Sequence, residues 1–115
     1  MNKEEIYEKT AREYYESGVD ELEKERNNSA VIPFFKSLVA STDIFIYNNT
    51  GESPSSHNKR FRIAEERFPD IYETLDKDFP FYQDSYVQIM SEELAKVIKE
   101  DAENVAGKAG ITLQR

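Results

Sequence analysis

The chain has 115 residues, no cysteine and a formal net charge of −8. Its length suits one domain, and without cysteine it can form neither disulfides nor thiolate metal sites. A negative surface repels phosphate backbones, so we expect no general nucleic-acid binding. The one basic island, residues 57–68, carries four basic and two acidic side chains together with the single histidine, His57.

The N-terminal sequence lacks the pattern of a secretory signal peptide, which is a basic stretch followed by an apolar run. The lack of cysteine also fits a reducing compartment. We therefore expect a cytoplasmic protein that does not associate with membranes.

Residues 3–26 have the pattern of an amphipathic helix. Apolar and small residues recur at spacings of three and four, while the opposite face is charged. Gly18 lies in this apolar stripe and weakens the helix by about 1 kcal/mol relative to alanine. It either kinks the helix or allows another helix to cross closely.

The most apolar segment is residues 29–49, in which only Lys36 and Asp43 are charged. Apolar residues cover most of its circumference, which is typical of a buried helix. Its length would suit a membrane span, but no uninterrupted apolar run approaches about 18 residues. We predict the central helix of a soluble bundle, with Ser29 as its N-cap and Pro33 near its first turn.

Glycine and proline divide the rest of the sequence into shorter helices. Gly51 suits the left-handed residue that ends the central helix. Ser55 or Ser56 then caps a third helix at about residues 57–68, which Pro69 breaks.

A fourth helix follows and ends at Pro80, and residues 81–90 form another helical piece. Ser91 begins an amphipathic last helix, and residues 111–115 are predicted to be a loose tail. No segment alternates with the period of a strand. We therefore predict an all-α fold, an up-and-down antiparallel bundle of four to five helices over residues 1–110.

His57, with Arg60 and Arg62 after it, is the first candidate for chemistry. Histidine titrates near neutral pH and can act as an acid, a base or a ligand. The alternative is a surface or capping histidine. One histidine without cysteine is too little for a conventional zinc site, and no motif indicates a cofactor, so we expect neither.

Tyr82, Asp84 and Tyr86 form a second candidate cluster. The two tyrosines are four residues apart and share a helix face, whereas Asp84 points elsewhere. Tyrosine rings can stack on a nucleotide base, although core or interface tyrosines have the same spacing. Asp43 is the third candidate, because a carboxylate in an apolar helix needs a partner, either Arg60 or a tyrosine hydroxyl.

Several short segments, taken in order, carry a family resemblance. They are Tyr14-Tyr15-Glu16-Ser17-Gly18, Asn28-Ser29-Ala30-Val31, Phe34-Phe35-Lys36-Ser37-Leu38, Asp43, the Gly51, Pro54, Ser56-His57 and Arg60-Phe61 positions, and Phe81-Tyr82-Gln83-Asp84-Ser85-Tyr86. Over about residues 10–105 the order and spacing of this set resemble the HEPN domains, most closely the small stand-alone archaeal and bacterial members.

HEPN domains are up-and-down bundles of four or five helices that usually dimerise, and many partner a minimal nucleotidyltransferase, often as toxin and antitoxin. The resemblance therefore implies a homodimer, a nucleotidyltransferase partner and a nucleotide near His57, Arg60 and Tyr82. The full set of candidates for nucleotide or partner binding is His57, Arg60, Arg62, Asp43, Tyr82, Asp84 and Tyr86.

Catalytic HEPN domains are metal-independent ribonucleases, marked by an arginine four to six residues before a histidine. Here no arginine precedes His57 more closely than Arg26, and Arg60 follows it. We therefore predict a non-catalytic binding module. The alternatives are a ribonuclease toxin that uses His57 as acid or base and Arg60 on the phosphate across a dimer, and a purely structural subunit without a pocket around His57.

Overall fold

Five α-helices are present in the computed structural model, which describes residues 1–113. They are α1 (Lys3–Glu23), α2 (Asn27–Thr50), α3 (His57–Arg67), α4 (Pro69–Asp84) and α5 (Glu92–Lys108). Residues 1–113 contain no strand. The predicted all-α bundle of four to five helices is confirmed, with five.

The central helix of the bundle is α2, which contacts all four other helices and packs most extensively on α1 and α5. Twelve of its 24 residues are buried. By length and composition α2 would also suit a membrane span, but 67% of its most apolar window is buried inside the protein. This burial fits the predicted core helix of a soluble bundle.

Gly18 marks the point where α1 crosses α2. A Cβ atom at position 18 would lie 2.5 Å from two ring carbons of Phe34, a fully buried side chain. One turn along α2 from Phe34 and two turns along α1 from Gly18, the buried Ser37 hydroxyl donates a hydrogen bond of 2.7 Å to the Ala11 carbonyl. Of the two interpretations of Gly18, the structure supports the close crossing.

The connection between α1 and α2 differs from the prediction at both ends. Helix α1 stops at Glu23 because Glu25 adopts a left-handed conformation with φ of 59°. There the Arg26 N–H donates to the Glu21 carbonyl, which is the backbone bond of a Schellman turn. Helix α2 starts at Asn27 without a side-chain cap, so the prediction of Ser29 as N-cap is wrong.

Two of the predicted helix ends are confirmed. Gly51 ends α2 in the left-handed region with φ of 76°, and the Ser56 hydroxyl caps α3 by accepting from the Lys59 N–H at 3.2 Å. Pro69 occupies the first position of α4, where its missing N–H has no consequence.

Pro80 does not end α4, and this prediction is wrong. The helix continues to Asp84, so residues 81–90 are not a separate helical piece. Pro80 is exposed, and the Asp76 carbonyl that loses its partner belongs to an exposed residue, where water can satisfy it.

Residues 85–91 form a loop, here called the apolar loop, which Asn28 holds in place. The Asn28 side-chain amide donates to the carbonyls of Ser85 and Gln88 at 2.9 and 2.5 Å, and its oxygen accepts from the Met90 N–H at 2.9 Å. The loop nevertheless presents three large apolar side chains to solvent. Tyr86, Val87 and Ile89 are 62%, 80% and 95% exposed.

Residues 111–113 pack on the bundle, which corrects the prediction of a loose tail for this part. Leu113 is buried, and the Arg12 side chain donates to the Thr112 carbonyl at 3.1 Å. Ile111 also packs against the core. Positions 114 and 115 of the predicted tail lie outside the described residues.

Candidate functional site

A cleft of about 480 Å³ opens between α1, α2, the start of α3 and the end of α4. Its wall consists of Ile6, Tyr7, Thr10, Tyr14, Phe35, Lys36, Val39, Ala40, Asp43, Ser55, Ser56, His57, Arg60 and Tyr82. Four of the seven residues singled out from the sequence therefore share one cleft: Asp43, His57, Arg60 and Tyr82. A purely structural subunit would have no pocket around His57, so the cleft argues against that alternative.

The floor of the cleft contains a buried ion pair between Arg60 and Asp43. The Arg60 Nε and Nη2 atoms donate to the two Asp43 carboxylate oxygens at 2.6 and 2.9 Å, and each side chain is less than a tenth exposed. Desolvation raises the pKa of the Asp43 carboxyl, and the Arg60 guanidinium opposes that rise. Of the two partners predicted for Asp43, Arg60 or a tyrosine hydroxyl, the structure has Arg60, and the two charges cancel.

His57 is the first residue of α3 and is exposed at the rim of the cleft. Its Nδ1 atom lies 3.2 Å from the Arg60 Nη1 atom. A guanidinium only donates, so Nδ1 accepts and the neutral ring carries its proton on Nε2. Desolvation and the nearby Arg60 charge lower the pKa of His57. At neutral pH the ring is therefore uncharged and presents an N–H donor.

Tyr82 covers the side of the cleft formed by α4. Its ring stacks on Phe35 with centroids 4.7 Å apart, and its hydroxyl lies 3.2 Å from that of Tyr86. The hydrogen bond to Tyr86 and burial raise the pKa of Tyr82 to about 12. At neutral pH Tyr82 is therefore a neutral phenol. The prediction that Tyr82 and Tyr86 share a helix face is wrong, because α4 ends at Asp84, although the two hydroxyls still meet.

The remaining three candidates lie outside the cleft wall. Tyr86 lies in the apolar loop and reaches the site only through its contact with Tyr82. Arg62 is exposed on α3. Asp84 ends α4, and its backbone carbonyl accepts from the N–H groups of Val87 and Gln88.

Three wall residues, Lys36, Tyr7 and Tyr14, were not among the sequence candidates. The Lys36 Nζ atom lies 5.6 Å from the centroid of the Tyr14 ring, and the Tyr7 hydroxyl lies 2.9 Å from the Ser53 hydroxyl. The sequence signal for Lys36 was its position as one of two charges in an apolar helix. The tyrosines instead fit the buried stripe of α1, so their position on the cleft wall could not be read from that periodicity.

The cleft wall carries a net charge of +1 in a chain of net charge −8. This follows because Arg60 and Asp43 cancel, His57 is neutral and Lys36 remains. Aromatic and aliphatic side chains supply the rest of the surface. Within residues 1–113, no group of three or more histidine or acidic side chains is arranged to hold a metal ion. The arrangement suits binding of a small ring-containing anion.

No protein-family model matches the sequence, and no curated protein matches it.

Proposed function

We propose that this protein is a non-catalytic, HEPN-like binding module whose cleft holds a nucleotide. One observation carries the proposal: Asp43, His57, Arg60 and Tyr82, chosen from the sequence, line the same cleft. Its volume of about 480 Å³ is in the usual range for small-molecule sites, which also combine apolar walls with a few polar groups. A base would find aromatic faces there, and a phosphate would find a cation and N–H donors.

Nucleotide binding is tested by calorimetric titration of AMP into the wild-type protein and two tyrosine variants. We expect one site per chain, and an affinity for Tyr82→Ala that is lower by about tenfold or more, since base–aromatic stacking contributes about 1–3 kcal/mol. The matched control is Tyr47→Ala, a half-buried tyrosine of α2 that does not line the cleft. Absence of AMP binding at millimolar concentration would contradict the proposal.

The buried ion pair between Arg60 and Asp43 supports a binding role rather than the ribonuclease alternative. A ribonuclease would need Arg60 to stabilise a phosphate and His57 to exchange a proton. To contact a phosphate, Arg60 would have to leave a buried pair, and breaking such a pair costs about 3–5 kcal/mol. We expect RNA to stay intact when incubated with the protein in EDTA. Metal-independent cleavage that His57→Ala abolishes would establish the ribonuclease instead.

The apolar loop supports the proposed homodimer. Residues 85–91 carry no charge in a chain that is 33% charged, so the loop itself adds no like-charge repulsion between two copies. Held by Asn28, the loop would lose little conformational freedom on binding. The proposed partner of this surface is the same surface of a second copy, as a two-fold axis requires.

The dimer is tested by light scattering with size-exclusion chromatography. We expect a wild-type dimer and a monomeric Val87→Asp/Ile89→Asp variant. The control is Val97→Asp, which adds a charge at an exposed valine of α5 and should remain dimeric. A wild-type monomer at 100 μM would contradict the homodimer.

The nucleotidyltransferase partner, the toxin–antitoxin setting and the cytoplasmic location complete the proposal and rest on the HEPN resemblance. Co-expression with a minimal nucleotidyltransferase encoded beside this gene tests the pairing. We expect the two chains to co-purify at a fixed ratio. Separate elution of two folded chains would contradict it.

A further inference from the structure

We infer that Lys36, rather than Arg60, supplies the positive charge that meets the ligand, and that the ligand is a ring compound with one anionic group. This inference rests on the proposed binding function and names the class of ligand. The relevant observations are the partners of each cation in the cleft and the net charge of its wall.

All three nitrogens of Arg60 already contact protein groups, which uses three of its five N–H donors. Nε and Nη2 donate to Asp43, and Nη1 contacts His57 Nδ1. The Arg60 side chain is also only 9% exposed. Arg60 is therefore a positioning residue, which joins α3 to α2 and orients the His57 ring.

Lys36 is the cation whose charge is not cancelled. Among residues 1–113 no acidic side chain forms an ion pair with it, and its Nζ atom lies 5.6 Å from the centroid of the Tyr14 ring. It follows Phe35, on which Tyr82 stacks, so the ammonium group and the aromatic surfaces line one cleft. A cation beside aromatic faces matches a ligand that joins a planar ring to an anionic group.

His57 adds a hydrogen bond without adding charge. Because Arg60 occupies Nδ1, the ring presents Nε2–H at the rim, a neutral donor suited to an anionic or carbonyl oxygen. The wall therefore offers one unit of positive charge within a chain of net charge −8. A triphosphate would bring about four negative charges into this field and be repelled, whereas a monophosphate brings about two and a carboxylate one, which the cleft can accept with less repulsion.

The test is calorimetry with four probes: AMP, adenosine, ATP and benzoate. We expect the wild-type protein to bind AMP about tenfold more tightly than adenosine or ATP, as one charge-assisted contact allows. Lys36→Met should remove the preference of AMP over adenosine and leave adenosine binding nearly unchanged. The control is Lys96→Met, an exposed lysine of α5 that pairs with Glu92 at 3.7 Å, and it should behave like the wild type.

The outcomes separate this inference from the nucleotide proposal. Equal AMP affinity in the wild type and Lys36→Met would overturn the role of Lys36 while nucleotide binding stands. Benzoate binding that depends on Lys36, without AMP binding, would support the inference and overturn the nucleotide. Tighter binding of ATP than of AMP would contradict the proposal that the ligand carries a single anionic group. If no probe binds the folded wild-type protein, both proposals fail.

Discussion

The Arg60 guanidinium lies against both oxygens of the Asp43 carboxylate, with nitrogen–oxygen distances of 2.6 and 2.9 Å. The contact joins α3 to α2, two helices that otherwise meet over a small area. It also places the His57 ring at the rim of the cleft through Arg60 Nη1. The Arg60–Asp43 pair therefore sets the position of the start of α3 and of the His57 ring relative to the cleft.

Removing one partner of this pair should be much worse than removing both. Arg60→Met leaves the Asp43 carboxylate buried without its cation, so we expect a loss of about 3 kcal/mol in the free energy of unfolding. The double variant Asp43→Leu/Arg60→Met should recover most of that loss, because no charge is left in the interior. Urea denaturation measures the free energy of unfolding of the two single variants, Asp43→Leu and Arg60→Met, and of the double variant. If the loss in the double variant equals the sum of the two single losses, the pair is not coupled.

Gly18→Ala should destabilise the protein even though alanine favours helices. The new methyl group would lie 2.5 Å from the buried Phe34 ring, so α1 and α2 must separate, and overpacking of this kind costs about 1–3 kcal/mol. The matched control is Gly107→Ala in α5, where nothing lies within 4 Å of the new Cβ. It should raise stability by about 0.5–1 kcal/mol. If the two variants shift the urea midpoint in the same direction, the close crossing is wrong.

Because Asp78 is buried, we expect the free energy of unfolding to fall as the pH rises. This fully buried side chain of α4 lies beside Asp101 of α5, with the Lys77 Nζ atom 2.9 Å from an Asp101 oxygen and 3.8 Å from an Asp78 oxygen. Burial, followed by the Asp101 carboxyl, raises the pKa of Asp78 to about 8. The native state therefore binds the proton more tightly than the unfolded chain, whose aspartate pKa is about 3.9.

The stabilisation of the native state by protonated Asp78 is fully present below about pH 4. It is lost progressively as the pH rises to about 8. Asp78→Asn removes the titration, so its stability relative to the wild type should increase by about 2 kcal/mol or more between pH 5 and pH 8. The control is Asp76→Asn, which makes the same chemical change at an exposed neighbour on the same helix. A difference between Asp78→Asn and the wild type that does not change with pH would refute the raised pKa.

Glu25→Gly should stabilise the turn between α1 and α2. Glu25 has φ of 59°, a conformation that costs a residue with a Cβ about 1–2 kcal/mol and glycine almost nothing. The greater flexibility of glycine in the unfolded chain offsets part of this, so we expect a net gain of about 0.5–1 kcal/mol. In thermal melts Glu25→Gly should raise the Tm. The control Glu23→Gly, at the last residue of α1, should lower it. A lower Tm for Glu25→Gly would contradict the prediction.

Local signals predicted the helix ends that depend on a single side chain. Ser56 caps α3 and Gly51 ends α2, because a hydroxyl acceptor and a residue free of Cβ strain act within a few residues. The pairing of Asp43 with Arg60 was also predictable, since a carboxylate in an apolar helix requires a cation or donor. These inferences needed no knowledge of how the helices pack.

The missed features depend on tertiary structure. Pro80 remains within α4 because its position faces solvent, which the sequence does not reveal. Nothing in the sequence around Asn28 indicates that its side chain holds a loop 57 to 62 positions away. Tyr14 matches the apolar stripe of α1, but in the structure it lines the cleft together with Ile6, Tyr7 and Thr10 of the same helix.

The central claim is that the cleft between α1, α2, α3 and α4 binds a small ligand. A ¹H–¹⁵N NMR titration of the 13.4 kDa chain with AMP tests it most directly. The account predicts saturable shift changes at the amides of Lys36, His57 and Tyr82, with the α5 amides of residues 96–106 unchanged. Shift changes confined to α5, or none at saturating AMP, would contradict it.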